Sequence, residues 1–138
     1  MTDLFIDTSG WASLFDRKQG YHREAVHFLK TALSDEVGLV TTNLVLIELT
    51  ALLTSPLKIP RPQQIQLLAD LRSRANLRIV FVDSQMEIQA WNLWQARPDK
   101  TWSMVDCTSF VLMQNLKLSQ SLTTDHHFEQ AGFVRMLQ

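Results

Sequence analysis

Four acids stand in sequence settings that disfavour charge: Asp7, Glu48, Asp106 and Asp125. Asp7 closes the apolar run Leu4-Phe5-Ile6, and Glu48 interrupts Leu44-Val45-Leu46-Ile47 just before Leu49. Asp106 lies between Met104-Val105 and the segment Cys107 to Met113, and Asp125 ends Ser121-Leu122-Thr123-Thr124. A carboxylate drawn into apolar surroundings costs several kcal/mol unless a cation or hydrogen-bond donors compensate. These runs carry no Lys or Arg at matching positions, so the pattern suggests a shared divalent metal. Oxygen donors suit Mg²⁺ or Mn²⁺ better than a thiolate-seeking ion. Such an ion bridges carboxylates to a substrate phosphate. It can activate water for in-line attack on phosphorus and offset charge on the leaving oxygen.

Each acid also has a plainer reading. Asp7 and Asp125 could cap the helices that follow them, and Ser103-x-x-Asp106 matches a capping box. Caps leave Glu48 unexplained, because a lone carboxylate inside an apolar helical run needs a partner of some kind.

The elements that must bring the four together alternate in type. Strands are predicted at Asp3–Asp7, Gly38–Thr41, Leu77–Val82 and Ser119–Thr124, with a last edge strand at Phe133–Met136. Between them the pattern predicts helical stretches from Thr8 to Phe15, Tyr21 to Leu33, and Leu44 to Leu53, the last capped by Thr42 or Asn43. Further helices run from Pro62 to Ala75, Ser84 to Ala96 and Ser103 to Leu116, and Asp125 opens a short turn. Ile65, Leu68, Ala69 and Leu71 are apolar positions of the first of these, and Ile88, Trp91 and Trp94 are spaced for burial in the second. Pro56, Pro60 and Pro62 mark the one loop of consequence.

This alternation predicts an α/β domain with a mainly parallel sheet, spanning 1–138 as one unit. Ligands in such sheets bind outside the carboxyl ends of the strands. Asp7 and Asp125 lie at that edge, and Glu48 and Asp106 are expected in the first turns of helices that reach over it.

Bulk properties bound the class. A 138-residue chain can bury a proper core without staples, and the single Cys107 excludes an intrachain disulfide or a cysteine zinc cluster. No signal peptide and no bilayer-length apolar run is visible, so a soluble cytoplasmic protein is expected, with no membrane partner. The net charge of −1 argues superficially against a polyanionic partner. Setting the four acids aside leaves ten acids against 13 Lys and Arg, a balance of +3. With metal offsetting the cluster, nucleic acid is permitted.

The ordered motifs resemble those of PIN domains: Asp7-Thr8-Ser9 after the first strand, Glu48 in the third helix, Asp106 to Phe110, and Thr123 to Phe133. Length and closing motif are most similar to the VapC toxins of prokaryotic toxin–antitoxin pairs. The resemblance implies a three-layer α/β/α fold around a sheet of about five strands and a Mg²⁺- or Mn²⁺-dependent endoribonuclease. On that basis Asp7, Glu48, Asp106 and Asp125 would be the metal-binding, catalytic carboxylates. Thr8, Ser9, Thr124 and His127 would be secondary candidates around substrate or metal. Some members carry another acid two residues beyond the last motif Asp, where this chain has His127. An antitoxin partner and a homodimer are likewise implied; a free-standing RNA-processing nuclease or a non-catalytic binding module is the alternative.

Other features are read conservatively. Adjacent His126 and His127 are expected to point apart, Trp91 and Trp94 to be core, and Arg72, Arg74 and Arg78 to form a solvated face. Receiver-type and dehalogenase-type phosphate chemistries are disfavoured. The first needs paired acids after its first strand and the second needs an Asp where Ser9 stands.

Overall fold

A computed structural model describes residues 3–138 of the chain. Its elements run β1 (Leu4–Ile6), α1 (Thr8–Phe15), α2 (His22–Ser34), β2 (Leu39–Thr42), α3 (Asn43–Thr54), α4 (Arg61–Arg72) and β3 (Leu77–Val80). They continue α5 (Ser84–Ala96), α6 (Met104–Asn115), β4 (Gln120–Leu122), α7 (His127–Gln130) and β5 (Val134–Arg135). The five strands form one sheet in the order β3-β2-β1-β4-β5, with every pairing parallel. The expected α/β architecture is therefore present, with the predicted elements in the predicted order.

Chain direction across the sheet reverses between β1 and β4. From β1 the chain steps outward through β2 to β3, then crosses back to β4 and out to β5. Right-handed crossovers place α1–α4 on one face and α5–α7 on the other. The contacts agree, since α1 packs with α2 and α3, while α6 packs with α5 and α7. The β1/β4 boundary is thus a topological switch point, where parallel sheets open a crevice at their carboxyl ends.

β1 is buried on both faces, with Phe5 and Ile6 wholly inaccessible, and this explains its continuous apolar run. The core extends through Leu39, Val45, Leu49, Phe110, Met113 and Leu122. An aromatic cluster closes the far side: Phe110 meets Phe128 edge-on at 4.9 Å and Trp102 at 5.1 Å. Thr41 donates to the Ile6 carbonyl (2.9 Å) and accepts from Trp11 Nε1 (3.1 Å), which fixes the end of β1.

Gly10 lets α1 lie against β4. A Cβ at that position would sit 2.1 Å from the Leu122 carbonyl oxygen, a backbone atom that cannot turn aside. Gly10→Ala is expected to cost about 1–3 kcal/mol, as overpacking does. Denaturant unfolding checks this, and an unchanged midpoint would mean that α1 shifts freely.

Several side chains depart from the sequence expectation. Ile88, Trp91 and Trp94, spaced for burial, are 56%, 45% and 43% exposed. Of α5 only Ala90 is fully buried, because the helix meets its neighbour α6 along a different stripe. Ile65 and Ala69 of α4 are also exposed, leaving Leu71 and Gln64 as that helix's buried anchors. Trp11 and Trp102, by contrast, belong to the core. Arg72, Arg74 and Arg78 are exposed.

Candidate active site

The carboxyl edge of the β1/β4 boundary holds a cavity of about 440 Å³ lined by Asp7, Thr8, Ser9, Glu48, Leu52, Asp106, Thr124, Asp125 and His126. All four acids of the sequence pattern line it: Asp7 directly after β1, Glu48 on α3, Asp106 on α6 and Asp125 between β4 and α7. A larger groove of about 700 Å³ between α3 and α4 offers Arg61 as its only charged side chain, so acid–base or metal chemistry belongs to the smaller cavity.

Asp7 follows β1 directly and is buried. It occupies the N-cap position of α1, yet its side chain makes no capping hydrogen bond, so the simple cap reading fails there. Burial, reinforced by Asp106 and Glu48, pushes its carboxyl up to about 7 despite opposing hydrogen bonds from the Thr8 backbone and Thr123.

Glu48 is the sixth residue of α3, so it projects from the second turn rather than the expected first. Thr42 caps the helix through its hydroxyl, which accepts from the Val45 amide. Thr8 donates to Glu48 Oε1 at 2.5 Å and ties α3 to the start of α1.

Asp106 does form the capping box, accepting from the Ser103 amide at 3.1 Å while its own amide donates to Ser103 Oγ at 3.0 Å. Burial still raises its pKa, partly opposed by the Ser103 amide and His127. The adjacent Cys107 is pushed up to about 11 by burial and by Asp106, and so is a packed thiol rather than a nucleophile. Asp125 Oδ1 accepts from the His127 amide at 2.9 Å. The cap reading therefore holds for Asp106, while Asp125 lies one residue ahead of His126, the N-cap of α7, and accepts from the amide two residues on; each carboxylate retains acceptor capacity for a second role.

Thr123, which the sequence reading passed over, joins these groups. Its hydroxyl donates to Asp7 Oδ2 at 3.0 Å and lies 3.0 Å from Ser9 Oγ. With that proton committed to Asp7, Ser9 is the donor to Thr123, which also accepts from the Asp125 amide at 3.0 Å. Ser9 Oγ in turn accepts from the Thr124 amide at 2.9 Å. A relay from Ser9 through Thr123 to Asp7 thus fixes the last turn of β4 against α1. The available signal was a hydroxyl residue two positions before Asp125, at the end of a buried strand. Thr123→Val removes a buried donor and acceptor and is expected to destabilise the chain by about 1–3 kcal/mol. Thermal unfolding tests this, and a neutral result would show that the relay carries no energy.

Among the described residues, ion pairs of Lys and Arg lie elsewhere: Arg97 and Lys100 with Asp99, Arg135 with Glu129. Beside the acids lie two histidines: His127 Nδ1 is 2.9 Å from Asp106 Oδ2 and 3.3 Å from Asp125 Oδ1, and His126, which lines the cavity, has its Nδ1 3.8 Å from Asp125 Oδ1. The two histidine rings do not point apart as expected. Their centroids are 4.7 Å apart, because His126 precedes α7 rather than lying within it. Buried and half-buried carboxylates, one held near pH 7 and none facing Lys or Arg, fit a hard divalent cation.

Comparison with known proteins agrees with this geometry. The family model described as PIN domain matches residues 4–134. The chain is 31% identical over 134 residues to "23S rRNA-specific endonuclease VapC20" in two Mycobacterium tuberculosis strains, CDC 1551 / Oshkosh and H37Rv. The match covers 96% of this chain and 97% of the relative. The crystal structure of Mycobacterium tuberculosis VapC20, described as a "Sarcin-Ricin loop cleaving toxin", superposes with a TM-score of 0.82. That alignment has 28% identity and covers 96% of this chain and 97% of that one.

Proposed function

The chain belongs to the PIN-domain family, and from that premise we propose that it is a divalent-metal-dependent endoribonuclease, the toxin of a toxin–antitoxin pair. One observation carries the reading: four acids from well-separated parts of the chain line one cavity at the switch point, with no Lys or Arg paired to them among the described residues. Asp7, Glu48, Asp106 and Asp125 are the residues that would hold Mg²⁺ or Mn²⁺. An ion held there would supply an activated water and offset charge on the leaving oxygen. Thr8 holds Glu48, while Ser9 and Thr123 hold Asp7, so the carboxylates are oriented before substrate arrives. Thr124, on the cavity wall, is positioned to meet the RNA backbone.

The relatives' names make the sarcin–ricin loop of 23S rRNA the first substrate to test. Purified protein should cut that RNA with Mg²⁺ or Mn²⁺ and stop when a chelator is added. Cleavage that persists in chelator would sink the metal assignment. No cleavage of any RNA, with metal bound, would favour the non-catalytic binding reading.

Residues 1–138 act in this reading as one nuclease domain working in the cytoplasm; among the described residues no helix is long and apolar enough to cross a membrane. An antitoxin would lay an apolar helix in the groove lined by Ile47, Ala51, Ile65 and Leu68. A second copy of the chain would cover the exposed α5 face of Ile88, Trp91 and Trp94. Light scattering on the Trp91→Glu protein tests that dimer, which should fall to monomer. The neighbouring reading frame separates a toxin from a free-standing RNA-processing nuclease, since a toxin should adjoin a short DNA-binding protein with a basic tail.

A further inference from the structure

We propose that Arg135 is a positioning residue of this site: its guanidinium fixes the bend at Thr124 and thereby holds Asp125 over the cavity. The inference rests on the metal-dependent reading above and deepens it. Arg135 does not line the cavity, so it acts through residues that do.

The amides of Val134, Met136 and Leu137 take the carbonyls of Ser119, Ser121 and Thr123, while Leu122 turns its carbonyl the other way, to the Asp7 amide. Continued alternation would send the Thr124 carbonyl toward β1 as well. The chain bends at Thr124 instead, and Arg135 Nη1 donates to that carbonyl at 3.1 Å. At the other end of the same peptide unit, the Asp125 amide donates to Thr123 Oγ1 at 3.0 Å. Beyond Asp125, its own carbonyl accepts from the Phe128 amide at 3.3 Å. The two peptide planes that meet at the Asp125 Cα are therefore both held, which fixes the direction in which its side chain leaves the backbone.

Arginine suits this place better than a simple cation. Arg135 is paired with Ser121 across β4 and β5, and its side chain reaches three positions beyond that register to Thr124. Its Nε lies 2.6 Å from Glu129 Oε1 on α7, a close ion pair although the Nε–H is not aimed along it. The directed bond thus goes to Thr124 and the charge to Glu129, so one planar group spans the end of β4 and α7. A lysine ammonium is a single point that keeps the charge but not that span. Neither partner is one of the four acids, so the guanidinium orders the turn without taking the place of a metal ion.

The test compares the full chain with Arg135→Gln and Arg135→Lys. In metal-free Arg135→Gln, amide hydrogen exchange across residues 124–127 should speed up roughly tenfold, as loss of a charge-assisted hydrogen bond does, while β1 and α6 keep wild-type rates. Mn²⁺ affinity, read by electron paramagnetic resonance, and kcat on a labelled RNA hairpin should each fall roughly tenfold or more. The KM for RNA should stay within about twofold of wild type. Arg135→Lys should keep the wild-type fold and still fall short in kcat and Mn²⁺ affinity; should Arg135→Gln fail to fold, this variant alone decides. Unchanged exchange in folded Arg135→Gln would overturn the assignment. So would a raised KM with unchanged kcat, which would mean that Arg135 meets the RNA directly, or wild-type kcat and Mn²⁺ affinity in Arg135→Lys, which would mean that charge alone suffices. A wild type that neither binds Mn²⁺ nor cuts RNA would remove the metal reading instead, and the exchange rates would still decide whether Arg135 holds the turn.

Discussion

An Asp7→Asn protein is expected to fold normally and to cleave RNA on the order of 10³-fold more slowly than the wild type at saturating Mg²⁺ or Mn²⁺. The figure follows from the several kcal/mol of transition-state charge stabilisation that a correctly held ion supplies. Asp7 is the most deeply enclosed of the four acids and the one nearest neutral protonation, so it depends most on a cation to stay ionised. Asparagine keeps the acceptor for Thr123 and the shape of the site but removes the charge. The loss should fall mainly on kcat, because the substrate's phosphates can still meet the rim at Thr124. Single-turnover cleavage of a labelled RNA hairpin measures it, with Asp99→Asn as control, since Asp99 sits in an exposed pair with Arg97 outside the cavity. Equal rates for wild type and Asp7→Asn would end the catalytic assignment.

The sheet and its edge were legible because β1 is marked by the apolar run Leu4-Phe5-Ile6 and β4 by the strand-like Ser121-Leu122-Thr123-Thr124, each followed by an acid. Local chemistry was legible too where it is contained in a few consecutive residues, as in the Ser103–Asp106 capping box. What stayed hidden depends on distant partners. Thr123 matters because α1 brings Ser9 and Asp7 to it from more than a hundred positions away. Gly10 matters because β4 crosses behind it. The α5 aromatics misled because helical periodicity locates a stripe but not its partner: α6 takes the side carrying Ala90, and Trp91 and Trp94 stack on each other at 5.4 Å in solvent. His127 was undervalued for a related reason, as its meaning lies in Asp106 on another helix.

The same substitution that stops the chemistry should make the metal-free protein more stable. Asp7 titrates near pH 3.8 in the unfolded chain and is raised to about 7 in the folded one, chiefly by burial. Between those values the folded state holds a proton that the unfolded state has released. Stability from this group is therefore fully present below about pH 4 and is lost as pH rises through about 7. A shift of that size corresponds to on the order of 4 kcal/mol. Asp106, also raised by burial, acts in the same direction. Metal-free wild type should thus melt progressively lower from pH 5 to pH 8. Asp7→Asn should exceed it by a few kcal/mol at pH 8, with the gap closing toward pH 4. Adding metal reverses the order of cause: an ion at a hundred times its Kd returns about 2.7 kcal/mol to the wild type and little to the variant. Denaturant titrations at pH 5 and pH 8, with and without Mn²⁺, separate these effects. A metal-free wild type indifferent to pH, or an Asp7→Asn protein no more stable at pH 8, would mean that Asp7 is not held as a buried charge awaiting a cation. If the expected crossing is found, the site exchanges stability of the empty fold for the ability to bind an ion where β1 and β4 part.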